Sequence, residues 1–144
     1  MKTEVSEHEK EEILRVWLAF ARTKIFANRG MEEAAFALFA PECFRYVLEH
    51  SNIAVDCDKD GELQAVLVYE STESAFIVHW CWTRREERNL GLQKRLWESV
   101  GIDPVNSNIF ISSLTVVVEK LIKDKGYNFL FNPYVNHKGS TFNG

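Results

Sequence analysis

Cysteine is scarce in this chain and does not pair off. Cys43, Cys57 and Cys81 form an odd set whose spacing matches no zinc pattern. That argues against a disulfide-stapled domain and against a metal site, and it predicts reduced thiols in a reducing compartment. Proline is equally scarce, and no Pro/Gly-rich linker, low-complexity tract or internal repeat divides the sequence. No apolar run approaches the roughly 20 residues that a membrane span needs. The opening stretch, MKTEVSEHEKEE, is charged and has no apolar segment of the signal-peptide kind. Positive charge is also lacking overall: the formal net charge is -4. Nothing in the bulk charge draws the chain to nucleic acid or an anionic membrane, so any anion site must be local. A soluble cytoplasmic protein without membrane attachment is the expectation.

What is present suits a packed core. Hydrophobic residues make up 46% of the 144 positions and aromatics 12%, which predicts one ordered domain over 1–144 with a mobile tail from about residue 135. SEHEKEEILRVWLAFARTKIF reads as an amphipathic helix that Ser6 can cap, with Ile13, Trp17, Phe20 and Ala21 on one stripe. MEEAAFALFAPECFRYVLEHS is helical in two pieces, with a fresh start at Pro41 and a buried face of Phe44, Val47 and Leu48. NIAVDCD alternates, with Ile53, Val55 and Cys57 on one side, and DKDGE turns the chain at Gly61. LQAVLVYE returns as a strand buried on both faces, and SAFIVHWCWT is a third strand. A helix from about Leu90 to Val100, a strand NIFISS, a helix LTVVVEKLIKDK stopped by Gly126, and a strand YNFLFNPY complete the chain. The order α-α-β-β-β-α-β-α-β predicts a layered α/β (α+β) domain.

One stretch, HWCWTRREERNLGLQKRLWESVG, runs from a strand through a basic turn with a single glycine into a helix. The first amides of a helix have no intrahelical acceptor, and the helix dipole adds positive potential at the same end. Such a connection can cradle a phosphate or diphosphate, with Gly91 permitting close approach and Arg84, Arg85, Arg88, Lys94 and Arg95 nearby. An ordinary strand-to-helix connection with a solvated charged face fits the same residues. Nucleic-acid binding through this cluster is a weaker reading, because the cluster is small and the chain acidic.

The element order, together with RNLGLQ (Arg88–Gln93) directly after a strand, resembles the GNAT superfamily of acyl-CoA-dependent N-acetyltransferases. That family carries Q/R-x-x-G-x-G/A there. The resemblance covers Glu7 to Tyr134 and is greatest to short GNAT-like proteins of phages and prophages, through Trp17-Leu18, HWCWT and FNPY. It implies a mixed, mostly antiparallel sheet flanked by helices, and acetyl-CoA as cofactor. The backbone of Trp80, Cys81, Trp82 and Thr83 would pair with the pantetheine arm. Amides of Arg88, Asn89, Leu90, Gly91, Leu92 and Gln93 would hold the pyrophosphate, with Phe110–Ser113 across the cleft. Three positions depart from the family pattern: Gln93 replaces its final Gly or Ala and could crowd the cradle, Ile77 stands where some members place a glutamate base, and LTVVVEKLIKDK has no tyrosine.

His79 is then the candidate base, on the same side of its strand as Ile77 and Cys81, and Tyr127 the candidate acid. The plainer alternatives are a histidine bonded to a neighbour and a core tyrosine. Trp80 and Trp82 share the opposite face as core, and Glu70 and Glu73 lie near a strand end where either could face an amine. Two functions follow. One is an acetyl-CoA-dependent N-acetyltransferase acting on an amine of a small molecule or protein. The other is a degenerate GNAT-like phage protein that acts by binding, as a host-interaction factor with a host protein partner or as a minor virion component. Nearly continuous apolar strands are also compatible with a homodimer.

Overall fold

A computed structural model describes residues 2–21, 33–88, 90–111 and 129–131. The elements run α1 (Glu7–Ala21), α2 (Glu33–His50), β1 (Asn52–Cys57), β2 (Leu63–Ser71), β3 (Phe76–Thr83), α3 (Leu92–Ser99), β4 (Ile109–Ile111) and β5 (Phe129–Phe131). The described elements follow the expected order. The predicted helix LTVVVEKLIKDK, its stop at Gly126 and the tail from 135 lie outside the described residues. The five strands follow one another across a single sheet, β1-β2-β3-β4-β5. The long ladders β1/β2 and β2/β3 are antiparallel, and the described β3/β4 and β4/β5 pairings are parallel. Parallel pairing of β3 with β4 requires a crossover, and α3 lies in that connection.

Ser6 starts α1 through a reciprocal pair of bonds: its Oγ accepts from the Glu9 amide at 3.1 Å, and its own amide donates to Glu9 Oε1 at 3.1 Å. The second helix is not in two pieces. It runs unbroken from Glu33 to His50 with Pro41 inside. An interior proline costs about 3 kcal/mol. Burial of the flanking face offsets it: Ala40 and Leu48 are buried, and Phe44 and Val47 pack on the core. One buried side chain such as Leu48 contributes about 1.5–3 kcal/mol.

Both faces of the sheet are covered. Ile53, Val55, Val66, Val68 and Trp80 pack with Ile13, Leu14 and Trp17 of α1 and with α2. Ala54, Ala65, Leu67, Val78, Ile109 and Ile111 pack under Leu92, Leu96 and Trp97 of α3. The first face is bound by an aromatic stack: the Trp17 ring lies 4.2 Å from Phe44 and 5.3 Å from Trp80, nearly parallel to both. No described helix is long and apolar enough to cross a membrane.

The β2/β3 ladder contains an irregularity that alters the sequence reading. Val68 pairs with Trp80 but the next residue, Tyr69, pairs with Val78, so His79 is the extra residue of a β-bulge. An inserted residue reverses the alternation beyond it. Val78 and Cys81 therefore belong to the α3 face, whereas Trp80 and Trp82 belong to the α1 face. The expectation that His79 shares a face with Cys81 is corrected by this bulge.

Candidate functional site

The chain leaves β3 at Thr83, makes a single 3-10 turn over Arg85–Glu87, and enters α3 through Gly91. Gly91 has φ of +76°, the left-handed region that L side chains rarely adopt. A Cβ built there would meet nothing within 4 Å. Backbone conformation, not crowding, thus calls for glycine, and the space in front of the turn is open. The first intrahelical bond runs from the Arg95 amide to the Gly91 carbonyl at 3.1 Å. The amides of Gly91, Leu92, Gln93 and Lys94 precede it and have no acceptor within the helix. Asn89 lies outside the described residues.

The basic residues around this turn divide into two kinds. Arg84 is committed to structure. It donates to Glu87 Oε2 at 2.8 Å and Oε1 at 2.6 Å and to Asp58 Oδ2 at 3.0 Å. Those bonds hold its guanidinium pKa well above the ordinary value, Glu87 first and Asp58 second. Asp58 is itself a turn residue whose Oδ1 accepts from the amides of Asp60 and Glu62. The side chain of Arg84 therefore braces the β1–β2 turn against the β3–α3 connection and does not face an incoming anion, contrary to the sequence reading. Arg88 bends back to the Thr83 carbonyl at 3.2 Å, and Arg85 and Arg95 are exposed.

Gln93 does not crowd the cradle. Its amide nitrogen donates to the carbonyls of Trp82 at 2.7 Å and Val66 at 3.0 Å, and its Oε1 accepts from Trp97 Nε1 at 3.0 Å. The side chain is folded onto the sheet, under α3. The backbone amide of Gln93 stays at the helix mouth.

Beside this turn, the described pairing of β3 with β4 sets Phe76–Val78 against Ile109–Ile111. Among the described residues, the edge of β3 from His79 to Thr83 has no β4 partner. The bulge directly follows the last described pair, Val78 with Ile111. There His79 Nε2 lies 2.7 Å from Glu70 Oε2, both side chains buried. Glu70 sits on β2 opposite Ile77. Since Val68 faces α1 and Tyr69 faces α3, alternation puts Glu70 on the α1 face, and the bulge lets His79 reach it. Sequence reasoning named both residues but did not join them; the register shift has no signature in the residues themselves. Glu73 is exposed in the β2–β3 turn, and Tyr127 and residues 112–113 lie outside the described residues. Ile77 is buried. Burial pushes the Cys81 thiol up to about 11, which suits a packing residue whose backbone alone is available for contact. Among the described residues, the buried indole N–H of Trp80 has no acceptor. Among the described residues no group of His, Cys, Asp and Glu could hold a metal ion.

No family model matches the sequence, and no curated protein sequence matches it. Solved structures do. A histone acetyltransferase HPA2-related acetyltransferase from Corynebacterium glutamicum superimposes with a TM-score of 0.57 at 15% identity, covering 85% of this chain and 81% of its own. A protein solved as a GNAT family acetyltransferase from Staphylococcus aureus gives 0.52 at 19% identity, over 69% and 85% of the two chains. The fold resembles that of these GNAT acetyltransferases: a mixed, mostly antiparallel sheet flanked by helices.

Proposed function

We propose that the protein is an acetyl-CoA-dependent N-acetyltransferase acting on an amine of a small molecule or protein. The observation that carries this reading is the coincidence of three features along one strand. The strand β3 pairs in parallel with β4 at Phe76–Val78, the next residue is bulged, and the same strand then runs into a left-handed glycine that opens α3.

The residues fit the group. The β3 edge from Trp80 to Thr83 offers backbone donors and acceptors to the amides of a pantetheine arm. The amides of Gly91, Leu92 and Gln93 offer donors to a pyrophosphate, and a cradle open in front of Gly91 admits it. Acetyl-CoA would supply the acyl thioester. The chain's part is to hold the acceptor amine against that carbonyl and to exclude water, which is worth several kcal/mol of barrier by positioning alone. His79 is the base that takes the amine proton as the new N–C bond forms and the C–S bond breaks. The departing thiolate needs a proton in turn. Tyr127 is the sequence's candidate for that donor.

Thermal unfolding with and without acetyl-CoA tests the proposal. A ligand at a hundred times its dissociation constant adds about 2.7 kcal/mol, a rise of several degrees in Tm at this chain length. Gly91→Trp, which fills the open cradle, should remove that rise. An unchanged Tm at millimolar acetyl-CoA would overturn the proposal. A rise without turnover on a panel of amines would favour the binding-protein reading instead.

A further inference from the structure

We infer that a second ligand site lies at the far end of α3 from the glycine turn. It is a cavity of about 500 Å3 between the N-terminal segment, β1 and the end of α3, and its lining suits a small aliphatic carboxylate. The inference is independent of the acetyltransferase reading and would hold for a chain without that activity.

The path of the backbone creates the space. Lys2 and Val55 exchange both backbone hydrogen bonds, 2.9 Å each, on the outer edge of β1. The contact is a single bridge. The chain then leaves the edge for Ser6, which opens α1. Along β1 every second residue presents its N–H and C=O to the same edge, so Ile53 faces the side that Val55 faces. Ile53 lines the cavity together with Thr3 and Val5 of the departing segment and Ser99 and Val100 of α3. The eight residues of α3 span about 12 Å. That length separates this cavity from the cradle at Gly91.

The lining sets the ligand chemistry. It holds one cation, Lys10, the hydroxyl-bearing Thr3, Ser51 and Tyr69, and no acidic residue. Ser51 Oγ is buried and, among the described residues, has no hydrogen-bond partner. A buried hydroxyl left unpaired costs stability, and exchange between staggered χ1 rotamers can turn it to a group in the cavity. Lys10 Nζ stands 3.5 Å from Glu7 Oε1, with the lysine side chain 27% exposed and that of Glu7 88%. An ion pair of that length with its acid in water is weak, so the ammonium remains able to meet a second anion. The carbonyl end of α3 opposes an anion. That opposition is reduced because the carbonyls of Leu96, Trp97 and Glu98 already accept from Ser99 Oγ, from the amides of Val100 and Ile102, and from the Gly101 amide. Val5, Ile53 and Val100 supply apolar wall for a short hydrocarbon body. The volume falls within the range of small-molecule pockets, about 300–1,000 Å3.

Amide spectra of the nitrogen-15-labelled full chain, titrated with butyrate, test the site without any turnover. Butylamine and inorganic phosphate serve as contrasting probes. The expected result is saturable shifts at Ser51, Ile53, Tyr69 and Val100 with butyrate, none at Gly91, Leu92 and Gln93, and no saturation with butylamine. Lys10→Met and Ser51→Ala should each raise the Kd for butyrate about tenfold, the scale of one hydrogen bond to a charged group. Thermal unfolding without ligand checks the orphan hydroxyl separately: Ser51→Ala should melt no lower than wild type, since it removes an unpaired buried group. Shifts that stay linear in butyrate, or that match those with butylamine, would overturn the inference. So would an unchanged Kd in a folded Lys10→Met protein, or binding of phosphate where butyrate does not bind. A clear fall in Tm for Ser51→Ala would mean that the hydroxyl already has a partner, which would remove the ground for the site.

Discussion

Gln93, on the first turn of α3, donates its side-chain amide to the backbone carbonyl of Trp82 on β3, 2.7 Å away. The same nitrogen reaches the Val66 carbonyl on β2, the residue in register with Trp82. One side chain thus clips two strands and a helix together beside the candidate cradle. Replacement by alanine removes three hydrogen bonds, including the acceptor of Trp97 Nε1. Gln93→Ala should cost about 1–3 kcal/mol, measurable as a lower midpoint in urea with an unchanged m-value. Gln93→Gly, the residue type usual in the family motif, should not restore the loss. If either variant unfolds at the wild-type midpoint, the clip contributes nothing.

Acid sensitivity should centre on Arg84. Asp58 is held below the usual carboxylate range first by the Glu62 amide and then by Arg84, and Glu87 first by Arg84. Carboxyls depressed in the folded state bind fewer protons there than in the unfolded chain. Their stabilisation is present above the unfolded values, about 4, and is lost as pH falls through the folded values. Tm should therefore decline below about pH 4. In Arg84→Met the decline should be shallower from a lower starting point, because both carboxyls lose a stabilising partner. A melting curve series from pH 6 to pH 2.5 with parallel slopes for the two proteins would refute the bracing role.

The three thiols should react in a fixed order. Cys43 is exposed on α2, while burial raises the thiol pKa of both Cys57 and Cys81, the latter to about 11. Only the thiolate is nucleophilic. At pH 8 a disulfide reagent should modify Cys43 rapidly and Cys81 only on unfolding, as mass spectrometry of timed digests would show. Rapid modification of Cys81 in the folded protein would mean that β3 is open in solution where it is packed here.

Much of the fold was legible from residue spacing. Ile13 and Trp17 marked a helical stripe, Ser6 marked its start, and Gly61 marked the hairpin, because each is a local preference acting over three or four residues. Pro41 misled. Its local preference favours a new helix, and tertiary burial of Leu48 and its neighbours outweighed it. The motif region was legible as a glycine turn before a helix, but the directions of its side chains were not. Arg84 turned to Asp58, 26 residues earlier in the chain, and Gln93 to Val66, 27 residues earlier. Contacts of that separation depend on how the strands come to lie side by side.

By itself, the sequence determined the order of elements, the two apolar faces of β2 and the glycine that opens α3, since periodicity and φ preference belong to each segment alone. Only the tertiary structure decided that His79 is an inserted residue and that the insertion turns it toward Glu70. A bulge is a property of the register between two strands, and register is settled when the helices on both faces are packed against them at once.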